Sequence, residues 1–79
     1  MQYVGVRYLQ GGHTVVIMVN NPDTTVGGFR RLVAEKLGLQ PVETRIILCG
    51  KELKDDAVPI REYRFEAETV VHAVRRSGE

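Results

Sequence analysis

Cysteine is nearly missing from these 79 residues: Cys49 stands alone, which excludes an internal disulfide and fits a reducing compartment. Net charge is also scarce. A formal value of +1 gives no general attraction to nucleic acid or to an anionic membrane. No segment approaches the roughly 18 apolar residues that span a bilayer, and the opening MQYVGVRYLQGG lacks the long apolar run of a signal peptide. The two histidines are far apart, so neither a zinc-ligand spacing nor the cysteine set of an iron–sulfur cluster exists. Gly50-Lys51 lacks the upstream glycine of a phosphate-binding loop, and Gly11-Gly12 and Gly27-Gly28 do not form a GxGxxG pattern. Cys49 reads as a small residue filling a turn, and Asp55-Asp56 as a solvated loop rather than a catalytic pair. These absences predict a chain that is not an enzyme, needs no cofactor or metal, and resides in the cytosol or nucleus.

What remains is the composition of an ordinary soluble domain, 43% hydrophobic and 27% charged. A chain this short makes one domain and buries only roughly 60–65% of the surface exposed when unfolded. That leaves one thin core and no deep cleft beside it. Residues 2–9 are rich in β-branched and aromatic side chains and read as a strand; Gln10-Gly11-Gly12-His13 supplies a hairpin turn. Residues 14–19 return as a second strand with Val15, Ile17 and Val19 on one face. After the loop at 20–23, Thr24 or Thr25 supplies a helix N-cap. Val26, Phe29, Val33 and Leu37 then recur at helical spacing, and Gly38 stops the helix. Gly27 and Gly28 in its first turn cost about 1 kcal/mol each relative to alanine, consistent with close packing or simple tolerance. Gln40-Pro41 turns the chain into a strand from Arg45, Pro59 sits in an irregular connection, and residues 69–75 form the last strand.

The stretch from Arg45 to Leu53, RIILCGKEL, carries the most information. Ile46, Ile47 and Leu48 follow one another on a strand whose successive side chains point to opposite faces, so both faces are apolar. One helix covers one sheet face. The other face must meet water, a partner or another domain, and an apolar surface there is the candidate for function. In the last strand, Val70, His72 and Val74 share one side and Val71 and Ala73 the other; alternation alone does not say which is inside.

These residues, taken in order, resemble the ubiquitin family over nearly the whole chain: Met1-Gln2, the Gly11-Gly12 hairpin, Thr25-Val26 opening the helix, Pro41, residues 45–51, Leu53, Tyr63 and Val71-His72-Ala73-Val74. Gly-Lys-Glu-Leu at 50–53 and Val-His-Ala-Val-Arg at 71–75 are similar to the N-terminal ubiquitin-like domain of parkin-type ubiquitin ligases. The resemblance implies an α+β, ubiquitin-like β-grasp fold: a mixed four- to five-stranded sheet with one main helix across one face. It implies a ubiquitin-like domain over residues 1–76 and a tail at 77–79 that begins a linker to a larger protein. It places Val4, Val6, Val15, Ile17, Val26, Phe29, Val33, Leu39, Ile46, Leu53, Ile60, Phe65, Val71 and Ala73 in the core.

By the same resemblance, an exposed patch consists of Leu9, Ile47, His72 and Val74, with a basic rim of Arg7, Arg45, Lys51 and Arg76. An apolar centre ringed by cations suits an amphipathic helix with acidic flanks, such as a ubiquitin-interacting motif or a proteasomal ubiquitin receptor, or else a neighbouring domain of the same protein. The expected function is protein interaction in the ubiquitin–proteasome system by a monomer, with no nucleic-acid or membrane partner. Thr69 offers an exposed hydroxyl before the last strand. Conjugated family members end in Gly-Gly, whereas Arg75-Arg76-Ser77-Gly78-Glu79 has no such pair, which disfavours a covalent modifier. Binding of a small GTPase through the hairpin-edge strand, using Arg7, is the remaining alternative.

Overall fold

The computed structural model describes residues 2–19, 21, 23–63 and 70–75. Phe65, Thr69, Arg76 and the tail at 77–79 lie outside them. Two strands, β1 (Gln2–Tyr8) and β2 (His13–Val19), form an antiparallel hairpin, followed by the helix α1 (Val26–Leu37). Strand β3 (Thr44–Leu48) turns into the two-residue β4 (Lys51–Glu52), and β5 (Val70–Arg75) completes the sheet. Short 3-10 turns at Pro41–Glu43 and Ile60–Tyr63 link these elements. The sheet order is β2-β1-β5-β3-β4, with β5 parallel to β1 and antiparallel to β3.

Local chemistry fixes the ends of α1. Thr25 is the N-cap, and its hydroxyl accepts from the Gly28 N–H at 3.2 Å. The preceding two helical N–H groups are satisfied from outside: Val26 donates to the Val58 carbonyl at 2.8 Å and Gly27 to the Asp56 carbonyl at 3.1 Å. At the other end Gly38 adopts φ 72°, and the Leu39 N–H returns to the Ala34 carbonyl at 2.8 Å, a Schellman closure. Thr24 or Thr25 as cap resolves to Thr25, and the helix stop at Gly38 is where the sequence puts it.

Alternation along the strands sends Val4, Val6, Ile17, Val19, Ile46, Leu48, Val71 and Ala73 under α1, where Val26, Phe29 and Val33 meet them. Leu53 and Ile60 close the core from the connection after β4. This settles the phase of the last strand: Val71 and Ala73 are fully buried, and His72 and Val74 face the other way. Val15 packs against the core partly buried, and Leu39 is half-buried rather than enclosed. Val19, Ala34 and Leu48 join the buried set beyond those named from the sequence. At the β3–β4 turn, Cys49 (φ 52°) and Gly50 (φ 80°) are both left-handed, the geometry of a tight two-residue hairpin turn.

Candidate functional site

The face of the sheet opposite α1 is built by the strand residues that alternate with the buried ones. Pairing aligns Thr14, Arg7, His72, Ile47 and Glu52 in one row across all five strands. The neighbouring row sets Val74 beside Arg45. Leu9, 49% exposed, follows β1 in the hairpin loop, where its N–H donates to the Ala73 carbonyl at 3.1 Å and ties the loop to β5. The loop is pinned a second time: the Gln10 side chain donates to the Arg75 carbonyl at 2.9 Å and accepts from the Arg75 N–H at 3.0 Å. The structure therefore brings Leu9, Ile47, His72 and Val74 to one surface. Ile47, His72 and Val74 are half-buried among their strand neighbours, while the core partners of Ile47 on β3, Ile46 and Leu48, point beneath the sheet.

Arg7, Arg45 and Lys51 are all exposed; Arg7 and Arg45 share the phase of this strip, whereas Lys51 pairs with Leu48 on the opposite phase, and Arg76 is outside the described residues. The rim is less purely basic than the sequence suggests. Arg45 donates to the Glu52 carboxylate at 2.8 Å, and Glu52 is the cross-strand neighbour of Ile47. That hydrogen bond, with help from the charges of Lys54 and Arg30, holds the Glu52 carboxyl below the usual range, and raises the Arg45 guanidinium in turn. Arg7 and Lys51 have no carboxylate partner among the described residues.

The apolar strip also extends further than the sequence reading placed it. Tyr3, Val16, Met18 and Val70 are exposed on the same face, with Gly5 opposite both Val16 and Val70 and Tyr3 opposite Met18. The signal was present in the run Val15-Val16-Ile17-Met18-Val19, apolar on both faces of β2 just as Ile46-Ile47-Leu48 is on β3. Among the described residues no group of three His, Cys, Asp or Glu side chains is placed to hold a metal ion, and no helix is long and apolar enough to cross a membrane.

A hairpin, a single helix laid across a mixed sheet, and a parallel pairing of the first and last strands define a β-grasp domain of ubiquitin-like type. The chain belongs to the ubiquitin family, whose model matches residues 4–78. It is 38% identical over 64 residues to the E3 ubiquitin-protein ligase parkin of Drosophila melanogaster, an alignment covering 81% of this chain and 13% of that protein. The parkin of Pediculus humanus subsp. corporis is likewise 38% identical, over 69 residues, 86% of this chain and 14% of the relative. The ubiquitin-like protein NEDD8 of Dictyostelium discoideum is 35% identical over 54 residues, 68% of this chain and 69% of its own length. This chain thus spans about one seventh of the parkin relatives it matches.

Proposed function

We propose that this domain is a protein-interaction module of the ubiquitin system, docking through the uncovered sheet face centred on Ile47. The observation that carries the reading is the row Arg7, His72, Ile47, Glu52 with Leu9 and Val74 beside it, apolar around Ile47 and flanked by the charges of Arg7 and Glu52. The similarity to two ubiquitin-protein ligases several times longer supports a place within such a longer protein, where a neighbouring domain is one occupant of the face and a ubiquitin-interacting helix another. In this reading the domain binds, and catalysis belongs to other parts of the parent chain. Arg7 and Lys51 attract acidic flanks and raise the association rate more than the affinity. Contacts of this size, below roughly 1,200 Å² in total, belong with transient encounters.

The test is an NMR titration of the 79-residue chain with an acidic ubiquitin-interacting helix. Shifts concentrate on Leu9, Ile47, His72 and Val74, with a dissociation constant in the micromolar range or weaker, about 5–8 kcal/mol. Ile47→Ala removes the binding and leaves the fold intact, because the side chain sits on the face away from the core. A variant that unfolds, or shifts that avoid these residues, ends the proposal.

A further inference from the structure

Beside the sheet face, and meeting it at Arg45 and Glu52, a cleft of about 890 Å³ opens between the N-terminal half of α1 and the β3–β4 edge. Its walls carry Arg30, Arg31, Arg45 and Lys54 against two carboxylates, Glu52 and Asp56. Both carboxylates are already engaged. Arg30 pairs with Asp56 and also donates to the Leu53 carbonyl at 2.6 Å, while Arg45 holds Glu52. Arg31 and Lys54, both exposed, are left without a carboxylate partner among the described residues, so the cleft presents a net positive charge. The positive end of the helix contributes little here, since the Val26, Gly27 and Gly28 N–H groups are taken up internally. The attraction comes from the side chains.

Two further features shape what fits. Val42, 80% exposed, stands with Pro41 at one end and gives the cleft an apolar foot. Gly28 lines the cleft although the fold does not need glycine there: a Cβ would meet only Thr24 and Thr25 at 3.5 and 3.6 Å, ordinary contact distances. A helix-weakening residue that packing does not demand leaves the floor bare, so that a ligand's backbone can come close.

We propose that this cleft is a second binding site, bordering the sheet face at Arg45 and Glu52 but centred on Arg31 and Lys54, for an extended acidic peptide with an apolar residue at one end. Acidic side chains of the peptide pair with Arg31 and Lys54, and its apolar residue rests on Val42 and Pro41. Its backbone N–H groups face Glu52 and Asp56. A mixed lining of this kind favours a chain bearing donors as well as negative charge over a bare anion, which offers the two carboxylates no donor.

The experiment titrates the 15N-labelled 79-residue chain with an eight-residue peptide of one leucine followed by aspartates and glutamates. Its asparagine–glutamine counterpart and inorganic phosphate at matched ionic strength serve as controls. The acidic peptide shifts Gly27, Gly28, Arg31 and Lys54 and leaves Leu9, Ile47 and Val74 unmoved. The double variant Arg31→Glu, Lys54→Glu weakens it about tenfold or more, whereas Ile47→Ala leaves it unchanged. Gly28→Gln, which puts a side chain on the cleft floor, raises the unfolding midpoint and weakens the peptide. Binding that survives the charge reversal, equal binding of the uncharged peptide, shifts on the sheet face, or the same shifts with phosphate alone would each overturn the proposal. Failure of the sheet-face reading shows instead as loss of the Leu9, Ile47 and Val74 shifts in the separate titration with the acidic helix.

Discussion

Gly27 and Gly28 are identical in the sequence and occupy the same turn of one helix, yet their surroundings differ. A Cβ on Gly27 would lie 3.0 Å from the Asp56 Cβ and 3.3 Å from the Asp56 carbonyl oxygen, which is the acceptor of the Gly27 N–H. A methyl group there must push on the loop that Arg30 clamps. Gly28 has ordinary space around it, so alanine gains helix propensity and loses nothing. We expect Gly28→Ala to stabilise the domain by about 0.5–1 kcal/mol and Gly27→Ala to be at least about 1 kcal/mol less stable than that variant, compared by urea unfolding. The sequence offered close packing and simple tolerance as alternatives for the pair. Each applies to one residue, and only the position of Asp56, 29 residues further along the chain from Gly27, separates them. Ile47 was more legible: three apolar residues in succession on a strand require one to face away from a single-sided core. His72 and Val74 were less so, because Val70 to Val74 alternates between two nearly equivalent sets, and only pairing with β1 and β3 selects the buried one.

Polar clasps tie elements of this small domain together outside the core. Glu43, in the turn before β3, accepts from the Gln40 N–H at 3.0 Å and from the Arg75 side chain at 3.4 Å, which links that turn to the end of β5. The backbone hydrogen bond from Gln40, reinforced by the Arg75 charge, holds the Glu43 carboxyl below its ordinary range, as Arg45 does for Glu52 across the β3–β4 ladder. Both groups have folded values lower than unfolded ones. Their contribution is therefore complete above the unfolded glutamate range and disappears as pH falls through the lowered folded values. Thermal unfolding midpoints should fall on acidification in that window, and the double variant Glu43→Gln, Glu52→Gln should show a flatter profile there. These clasps were invisible in the sequence, where Glu43, Glu52, Arg45 and Arg75 look like scattered surface charge. The helix and the first hairpin were readable because their signals are local: Gly11-Gly12 at the turn, Thr25 at the cap and Gly38 at the stop. The short β4 escaped because two residues carry no period.

At the scale of the whole molecule, one helix on one side leaves two dissimilar surfaces: an apolar face on the bare sheet and a charged cleft beside the helix. Sequence pattern raises the expectation of the first, since one helix covers one sheet face. It could not anticipate the second, whose lining comes from α1, the turn before β3, the β3–β4 edge and the loop after it, and exists only once these are folded together.

The last strand to enter the sheet lies in its middle, flanked by β1 running alongside it and β3 running against it. A mechanical load applied beyond Arg75 along that strand has no free border to peel from; it must slide both ladders past their partners at once. Pulled between the start of β1 and the end of β5, single molecules should rupture at higher force than when the β1–β2 hairpin is pried open from its strand ends. A domain strung this way keeps its shape under tension applied along its first and last strands.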